Sequence, residues 1–520
     1  MTITATYSTL DLTRITMSKI TTTWLPLLAG LCWTLGSCGA LLADSGVSIS
    51  EAGHERVSNN IQKRPDIRPN IILCMADDQG WGDVGFNGHP FLKTPHLDRL
   101  AGEGLKFNRW YAAAPVCSPT RGSCLTGRHP FRYGIYTANK GHLKSEEIGL
   151  QEILKAQGYA TGHFGKWHLG TLTTQVDDAN RGKPGNEKDY SPPWEHGFDV
   201  CFSTESKVPT FDPMKNPNKV SQASKKGVEE GGPYGTAYWR GPEQRVPDQE
   251  LEGDDSMLIA KQATKFMQES AHQGKPFFAV VWFHAPHLPV VADQAHRDLY
   301  PDHPHGLYGQ HYAGCISAID DAVGHLDAEL QRIGVKDNTM LWYCADNGPE
   351  SSAEKGAGSA GPFRGRKRSL YEGGVRVPAF LVWPTKIAAA SETDFPCVTS
   401  DYLPTILDSL KLKLPDRPLD GISLMPLVQG KLKQRRKPIG FQSAGVATWN
   451  AGQYKLVRSS KRTGQKKSSG LPKIELYDLL QDPAESNDLA ADKPELSKTM
   501  NQALSAWQES CKNSDQGQDY

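Results

Sequence analysis

Asn70-Ile71-Ile72-Leu73-Cys74-Met75-Ala76-Asp77-Asp78-Gln79-Gly80 decides how the rest of this chain is read. Asn70–Met75 is a short, nearly continuous apolar run that ends abruptly in two carboxylates. Three further runs, Phe277–Phe283, Thr339–Cys344 and Val377–Trp383, share its length and its β-branched or aromatic bias. Runs of this kind read as strands buried on both faces, the mark of a parallel sheet covered by helices. Amphipathic stretches lie between them. In Asp255–Ser270, for example, Ile259, Ala263 and Phe266 recur at helical spacing behind an acidic first turn. The alternation predicts an α/β fold, a large and mostly parallel sheet sandwiched by helices.

The polar residues that follow these strands are the second clue. In open α/β sheets ligands bind beyond the carboxyl ends of the strands. Asp77-Asp78 follows the first run, His284-Ala-Pro-His287 the second and Asp346-Asn347-Gly348 the third. Alone, either acidic cluster reads best as a turn or a helix cap. Together they would meet on one rim. Three carboxylates and an amide make an all-oxygen site, which suits Ca²⁺ or Mg²⁺ better than zinc. Fixed positive charge is available from Gly165-Lys166-Trp167-His168-Leu169-Gly170 and from Lys367, five residues before Glu372. A lone lysine is ordinarily a solvated surface residue, so these too count only jointly.

The third clue is Cys117-Ser118-Pro119-Thr120-Arg121, continued by Thr126-Gly127-Arg128. It resembles the site at which sulfatases convert a cysteine to formylglycine, whose hydrated form is a gem-diol. With the acidic and basic motifs, the chain resembles the type I sulfatases of the alkaline phosphatase superfamily, including arylsulfatases and N-acetylgalactosamine-6-sulfatases. The resemblance runs from about Pro69 onward. It includes Thr94-Pro-His-Leu-Asp-Arg-Leu100, Ser400-Asp-Tyr-Leu-Pro-Thr-Ile-Leu407 and Leu476-Tyr-Asp-Leu479 with Asp482-Pro-Ala-Glu485. One departure is Gly122-Ser123-Cys124, where relatives often carry small apolar residues. It lies outside the recognition positions.

The resemblance implies that Asp77, Asp78, Asp346 and Asn347 hold one divalent cation, usually Ca²⁺, with residue 117 against it at the start of a helix near Ser118. Arg121 and Lys166 would orient the gem-diol and neutralise its charge. One hydroxyl, deprotonated with help from Asp346, would attack sulfur. His287 and Lys367 would stabilise or protonate the departing alcohol. His168 would take the proton of the remaining hydroxyl as sulfate leaves, and His284 would be a contact to substrate or to the groups behind the site. A formylglycine-generating enzyme is the implied maturation partner. The rival readings are a phosphonate or phosphodiester hydrolase of the same superfamily, a two-zinc phosphatase, and a sulfated-glycan binding protein without catalysis. The oxygen-only ligand set counts against the zinc enzyme, and binding alone needs neither a modifiable Cys117 nor His168.

Bulk properties fit this reading. In 520 residues, 58 Lys+Arg balance 58 Asp+Glu, so no global field points to nucleic acid or an anionic membrane. With 38% hydrophobic residues the composition is globular. Residues 1–43 read as a signal region: Lys19 precedes an apolar stretch, Trp24–Leu35, too short to span a bilayer. Met17 is a candidate start. Small residues ending at Ala40 or Ala43 suit an ordinary signal peptidase, whereas Leu35-Gly-Ser-Cys38 resembles a lipobox that would lipidate Cys38. Simple export, periplasmic or extracellular, is the favoured reading. Ten cysteines show no metal-type Cys-x-x-Cys pair, and no disulfide connectivity or oligomeric state follows from them.

Residues 66–435 are expected to form the catalytic domain and 436–520 a smaller α+β subdomain, with strands at Gln453–Arg458 and Lys473–Leu479 and a terminal helix at Pro494–Cys511. The Gly/Pro/Lys-rich stretches 174–193 and 204–250 read as walls of the substrate pocket. Specificity is expected from the loops 174–250, 293–310 and 351–366. Trp194, Tyr238, Trp239, His303 and His305 suggest a sulfated sugar as substrate.

Overall fold

The computed structural model describes residues 68–219, 228–350, 357–460 and 472–520, together with a strand pair at 462–463 and 466–467. The signal region, Cys38, the residues at 220–227 and 351–356, and most of the basic loop 461–470 lie outside the described residues. Residues 64–520 form one compact unit.

The core is an eight-stranded sheet. Its strands are β1 (Asn70–Ala76), β2 (Leu105–Phe107), β3 (Ala160–Lys166), β4 (Val200–Thr204), β5 (Phe277–Trp282), β6 (Thr339–Ala345), β7 (Ala379–Val382) and β8 (Ser391–Thr393), in the order β8-β2-β7-β6-β1-β5-β3-β4. β1 lies at the centre, in parallel register with β5 and β6. All seven of its residues are buried, so both faces of the sheet are covered. Helices Pro95–Glu103, Asp255–His272 and Gly306–Arg332 pack as one group, and Cys117–Thr126 packs with Leu150–Ala156 and Tyr402–Ser409 as another.

One strand departs from the expected parallel pattern. β7 runs antiparallel to β6 and β2. Pro378 splits the run Val377–Trp383, because it has no N–H to continue a ladder. Arg376–Val377 instead joins Trp110–Tyr111 and Cys397–Val398 in a separate three-stranded sheet.

Beyond the catalytic sheet, Ile439–Ser443, Val446–Ala451, Tyr454–Ser459 and Lys473–Asp478 form an antiparallel sheet. Helix Pro494–Asp515 packs Met500 and Leu504 onto its Ala447, Leu456 and Leu476. The eight described cysteines are buried and unpaired. No helix among the described residues is long and apolar enough to cross a membrane.

Candidate active site

The acidic residues sit where three adjacent strands end. Asp77 N–H donates to Ala285 O beyond β5 at 3.0 Å, and Asp346 N–H donates to Ala76 O at 3.1 Å. These bonds continue the ladders past the strand ends and bring the three polar clusters to one place. Asp78 has φ 66°, an uncommon conformation for a non-glycine residue. Its N–H donates to Asp346 Oδ1 at 3.1 Å, and Asn347 Nδ2 donates to its Oδ1 at 2.7 Å.

Cys117 is the first residue of helix Cys117–Thr126, capped by extended Val116. Ligating atoms of Cys117, Asp77 and Asp346 lie within 4.8 Å of one another. Unpaired amides at a helix start favour an anion there. Burial pushes the Cys117 thiol up, partly offset by Lys166 and Lys367. The thiol is therefore a poor thiolate as it stands. In the same helix, Ser123 Oγ meets Thr399 Oγ1 at 2.6 Å and Cys124 Sγ donates to Thr120 O at 3.3 Å, so the departure at 122–124 is accommodated locally.

Three cations match three carboxylates. Lys166 Nζ donates to Asp77 Oδ2. Arg121 donates to Asp346 Oδ2 at 2.7 Å and to the Lys166 carbonyl at 3.1 Å, and its guanidinium lies over Trp282. Lys367 Nζ reaches both oxygens of Asp78, at 2.6 and 2.7 Å. Burial alone would raise Asp77, but Lys166, His287 and Arg121 outweigh it and hold its carboxyl well below the usual range. Burial with the neighbouring Asp77 charge pushes Asp346 up to about 7. Burial disfavours the Lys367 charge, yet Asp78 overcomes this and keeps it an ammonium.

The donor set fits a hard divalent cation. Asp77 Oδ1 and Asn347 Oδ1 are buried acceptors with no hydrogen-bond partner among the described residues, and orphaned acceptors are costly unless something occupies them. Three carboxylates and three cations cancel, so a bound divalent ion would leave two net positive charges facing an anionic ester.

β3 carries the basic loop. Gly165 has φ 98°, and a Cβ there would lie 2.0 Å from Trp282 O. Only glycine allows that approach, and it delivers Lys166 and His168 to the rim. His168 (φ 58°) receives Ser118 Oγ–H on its carbonyl at 2.7 Å. Its Nε2 lies 2.7 Å from Asn139 Oδ1, which also accepts from Asn180 Nδ2 at 3.0 Å; Asn180 Nδ2 donates to Ser206 Oγ at 2.7 Å as well. This chain assigns the proton to Nε2 and leaves Nδ1 a buried lone pair with no partner among the described residues. Burial and the cations Lys166, Arg181 and Arg121 hold His168 well below its usual value, hence neutral. Sequence reasoning missed Asn139 and Asn180, which carry no motif.

The two histidines of the 284–287 motif part company. His284 is sealed in, with Nδ1 2.8 Å from Asp255 Oδ2 and Nε2 2.6 Å from Thr204 Oγ1, so it supports the site from behind and cannot touch substrate. His287 is partly exposed. Its Nδ1 donates to Leu288 O at 2.6 Å, and its Nε2 faces Asp78 Oδ2 at 3.7 Å. Burial and Lys367 push it down to about 4. Among the aromatic residues expected on the pocket wall, Tyr238 is fully buried against Phe202 and is no free sugar platform. Trp239 lines a cavity of about 540 Å³, and His303 and His305 line another of about 500 Å³.

The sulfatase family model matches residues 69–412. This chain belongs to the sulfatase family. A model of the N-sulphoglucosamine sulphohydrolase C-terminal region matches residues 361–510 of this sulfatase. The sulfatase is 32% identical to arylsulfatase A of Bos taurus over 465 residues, 84% of this chain and 86% of that protein. It is 34% identical to N-acetylgalactosamine-6-sulfatase of Mus musculus over 403 residues, 74% and 71% of the two chains. Its fold matches the crystal structure of Ps i-CgsB in complex with k-i-k-neocarrahexaose with TM-score 0.70 and 25% identity, covering 85% of this chain and 92% of that one. The sulfatase is thus a sulfuric ester hydrolase with an alkaline phosphatase-like sheet.

Proposed function

We propose that the enzyme is exported, to the periplasm or beyond the cell, and hydrolyses a sulfate ester on a sulfated carbohydrate, with residue 117 acting as formylglycine and one Ca²⁺ held by Asp77, Asp78, Asp346 and Asn347. The observation that carries the reading is the meeting of Cys117 with Asp77 and Asp346 oxygens at a helix start ringed by Arg121, Lys166 and Lys367. The carbohydrate class is supported by relatives named for a sugar sulfate and by a neighbour solved with a neocarrahexaose. The maturation partner is a formylglycine-generating enzyme, and export rests on the signal-like segment 1–43.

The hydrated formylglycine supplies a hydroxyl nucleophile and, by collapse to the aldehyde, a way to expel sulfate. The cation, when bound, polarises sulfate oxygens. The chain's own residues do the rest. Arg121 and Lys166 fix positive charge beside residue 117 and hold Asp346 and Asp77 in place. Lys367 presents a retained proton and charge to the departing alcohol oxygen. His287, neutral with its proton on Nδ1, turns an Nε2 lone pair to that region and positions the leaving group. His168 receives a proton at Nδ1, the lone pair that the Asn139 contact leaves free.

Peptide mass spectrometry of active enzyme from a competent host is expected to show the thiol-to-aldehyde mass loss at Cys117. Release of sulfate from a panel of defined sulfated mono- and oligosaccharides is expected to identify one preferred linkage. Active preparations that contain only the thiol would overturn the nucleophile, and turnover restricted to phosphonates or phosphodiesters would overturn the substrate class.

A further inference from the structure

We propose that Lys455 and Glu485 are positioning residues for the sulfatase reaction: they clamp the neck of the loop 364–374 and through it hold the Lys367 ammonium against Asp78. The proposal rests on the reading of Lys367 as the cation that serves the departing alcohol. Lys367 lies on a loop that closes on itself. Gly373 N–H donates to Arg364 O at 2.7 Å, and Gly374 N–H donates to Tyr371 O at 2.9 Å. A Cβ on Gly373 would lie 2.3 Å from Gly365 O, and one on Gly374 would lie 2.0 Å from Ser369 O. The two sides of the loop are therefore in close contact, and it moves as one piece. Its neck also meets the loop after Asn347, where Gly348 N–H donates to Gly374 O at 3.0 Å.

The neck is held from the C-terminal sheet. Lys455 pairs with Tyr477, and Val457 with Glu475, across strands Tyr454–Ser459 and Lys473–Asp478, so these four share one face. The other face carries Leu456 and Leu476 under the terminal helix. Lys455 Nζ donates to Glu372 Oε1 at 2.9 Å and lies 2.9 Å from Glu485 Oε1. Glu485 Oε2 accepts the Glu372 N–H at 2.6 Å, and Tyr111 OH donates to Glu372 Oε2 at 2.8 Å. Across the neck, Arg364 donates to Tyr477 OH and to Glu485 O, both at 3.1 Å, and its guanidinium lies 3.7 Å from the Tyr371 ring centroid. Tyr371 OH donates to Glu475 Oε2 at 2.7 Å. Burial disfavours the Lys455 charge, but Glu372 and Glu485 overcome this and keep it an ammonium. Buried ion pairs return little net stability for the desolvation they cost, and apolar side chains would join the two bodies as well. What the charged groups add is direction, at a glutamate five residues from Lys367. The tip has two ties of its own, Lys367 N–H to Pro349 O at 3.0 Å and Arg368 N–H to Pro115 O at 2.8 Å. Releasing the neck should therefore loosen Lys367 rather than lose it.

The double variant Lys455→Met/Glu485→Gln removes one charge of each sign and leaves Glu372 with Tyr111 and Arg376. With the fold checked by melting temperature and near-ultraviolet circular dichroism, kcat on alkyl and sugar sulfates should fall ~10-fold, and kcat on aryl sulfates less. Calcium affinity should rise ~3-fold, because an ammonium drawn away from Asp78 no longer opposes the ion, whereas a site that had merely loosened would bind it more weakly. In the Lys367→Met background the same two substitutions should cost no further activity, since groups that act as a unit are not additive. Tyr371→Phe frees the neck from Glu475 and keeps the ring under Arg364; it should move both quantities in the same directions and carries the test if the double variant does not fold. Unchanged kcat and calcium affinity in the folded variants, weaker calcium binding, or a loss that adds in full to that of Lys367→Met would overturn the proposal. Lys367→Met without any preference among leaving groups would overturn the reading of Lys367 itself, and the clamp's part in catalysis with it.

Discussion

Lys367 holds both oxygens of Asp78, at 2.6 and 2.7 Å, on the carboxylate expected to face the divalent ion. The ammonium and the ion therefore compete for one negative group. Removing the ammonium should tighten the ion and slow the chemistry. In Lys367→Met we expect Ca²⁺ affinity to rise at least ~10-fold, from the loss of a neighbouring like charge. We expect kcat to fall about 10²–10³-fold, from the loss of a preorganised cation. Calcium titration and steady-state kinetics on one preparation check both, and a loss of calcium affinity would contradict the competition.

Leaving-group dependence separates Lys367 from His287. With its value pushed down to about 4, His287 is neutral throughout the range above that pH, whereas Lys367 stays charged. Loss of the proton donor should hurt alkyl and sugar sulfates more than aryl sulfates, whose leaving groups need less help. The kcat loss already given for Lys367→Met should therefore fall mainly on alkyl and sugar sulfates, with aryl sulfates losing at least ~10-fold less, and His287→Gln should lose similar activity on both substrate types. A reversed pattern would make His287 the donor.

Asn139 is expected to act through His168. Asn139→Ala should lower kcat roughly 3–10-fold with little change in KM, the scale of one hydrogen bond. Asn139→Asp keeps the acceptor and adds negative charge, which favours the imidazolium. The acid limb of the kcat profile should then move to higher pH while activity is largely retained. An unmoved limb would show that Asn139 only packs.

Asp420 ties the terminal helix to the segment after Cys117. It accepts Arg132 Nε at 2.7 Å and Nη2 at 2.9 Å, His129 N–H at 2.6 Å and Trp507 Nε1–H at 2.9 Å. Burial would raise its carboxyl, but Arg132 prevails and holds it well below the usual carboxylate range. The folded value lies below the ordinary one, so this stabilisation is complete above about pH 4 and is lost as pH falls through the depressed folded value. Asp420→Asn should cost about 3–5 kcal/mol at pH 7 by breaking a buried pair. The gap from the parent protein, measured by urea unfolding, should hold down to about pH 4 and narrow below it. A gap that is the same at pH 2 as at pH 7 would refute this.

The sequence made some of these features legible and hid others for physical reasons. β1, β5 and β6 stood out because strands buried on both faces must be continuously apolar, and their acidic ends then located the rim. β3 was hidden because Gly162, Gly165 and Lys166 interrupt its apolar pattern, and those residues are there for close approach and for the site. Val377–Trp383 read as one strand because a single Pro378 is easily outweighed by six apolar neighbours. The ladder has no such tolerance. The pairing of Lys166 with Asp77 and Lys367 with Asp78, and the support of His168 by Asn139, join residues distant in the chain. No local pattern encodes which lysine meets which carboxylate.

The burial of residue 117 also sets a schedule. Cys117 as a whole is only 3% exposed, out of reach of another enzyme once the chain has closed. Arg128, just past its helix, is gripped by Asp519 at 2.5 Å, a partner 391 residues away in sequence. At ribosomal rates of about 5–20 residues per second, that grip becomes available only ~20–80 s after Arg128 is made. The segment bearing Cys117 therefore spends its youth without its last clasp, and that interval is when a thiol destined for burial can still be rewritten.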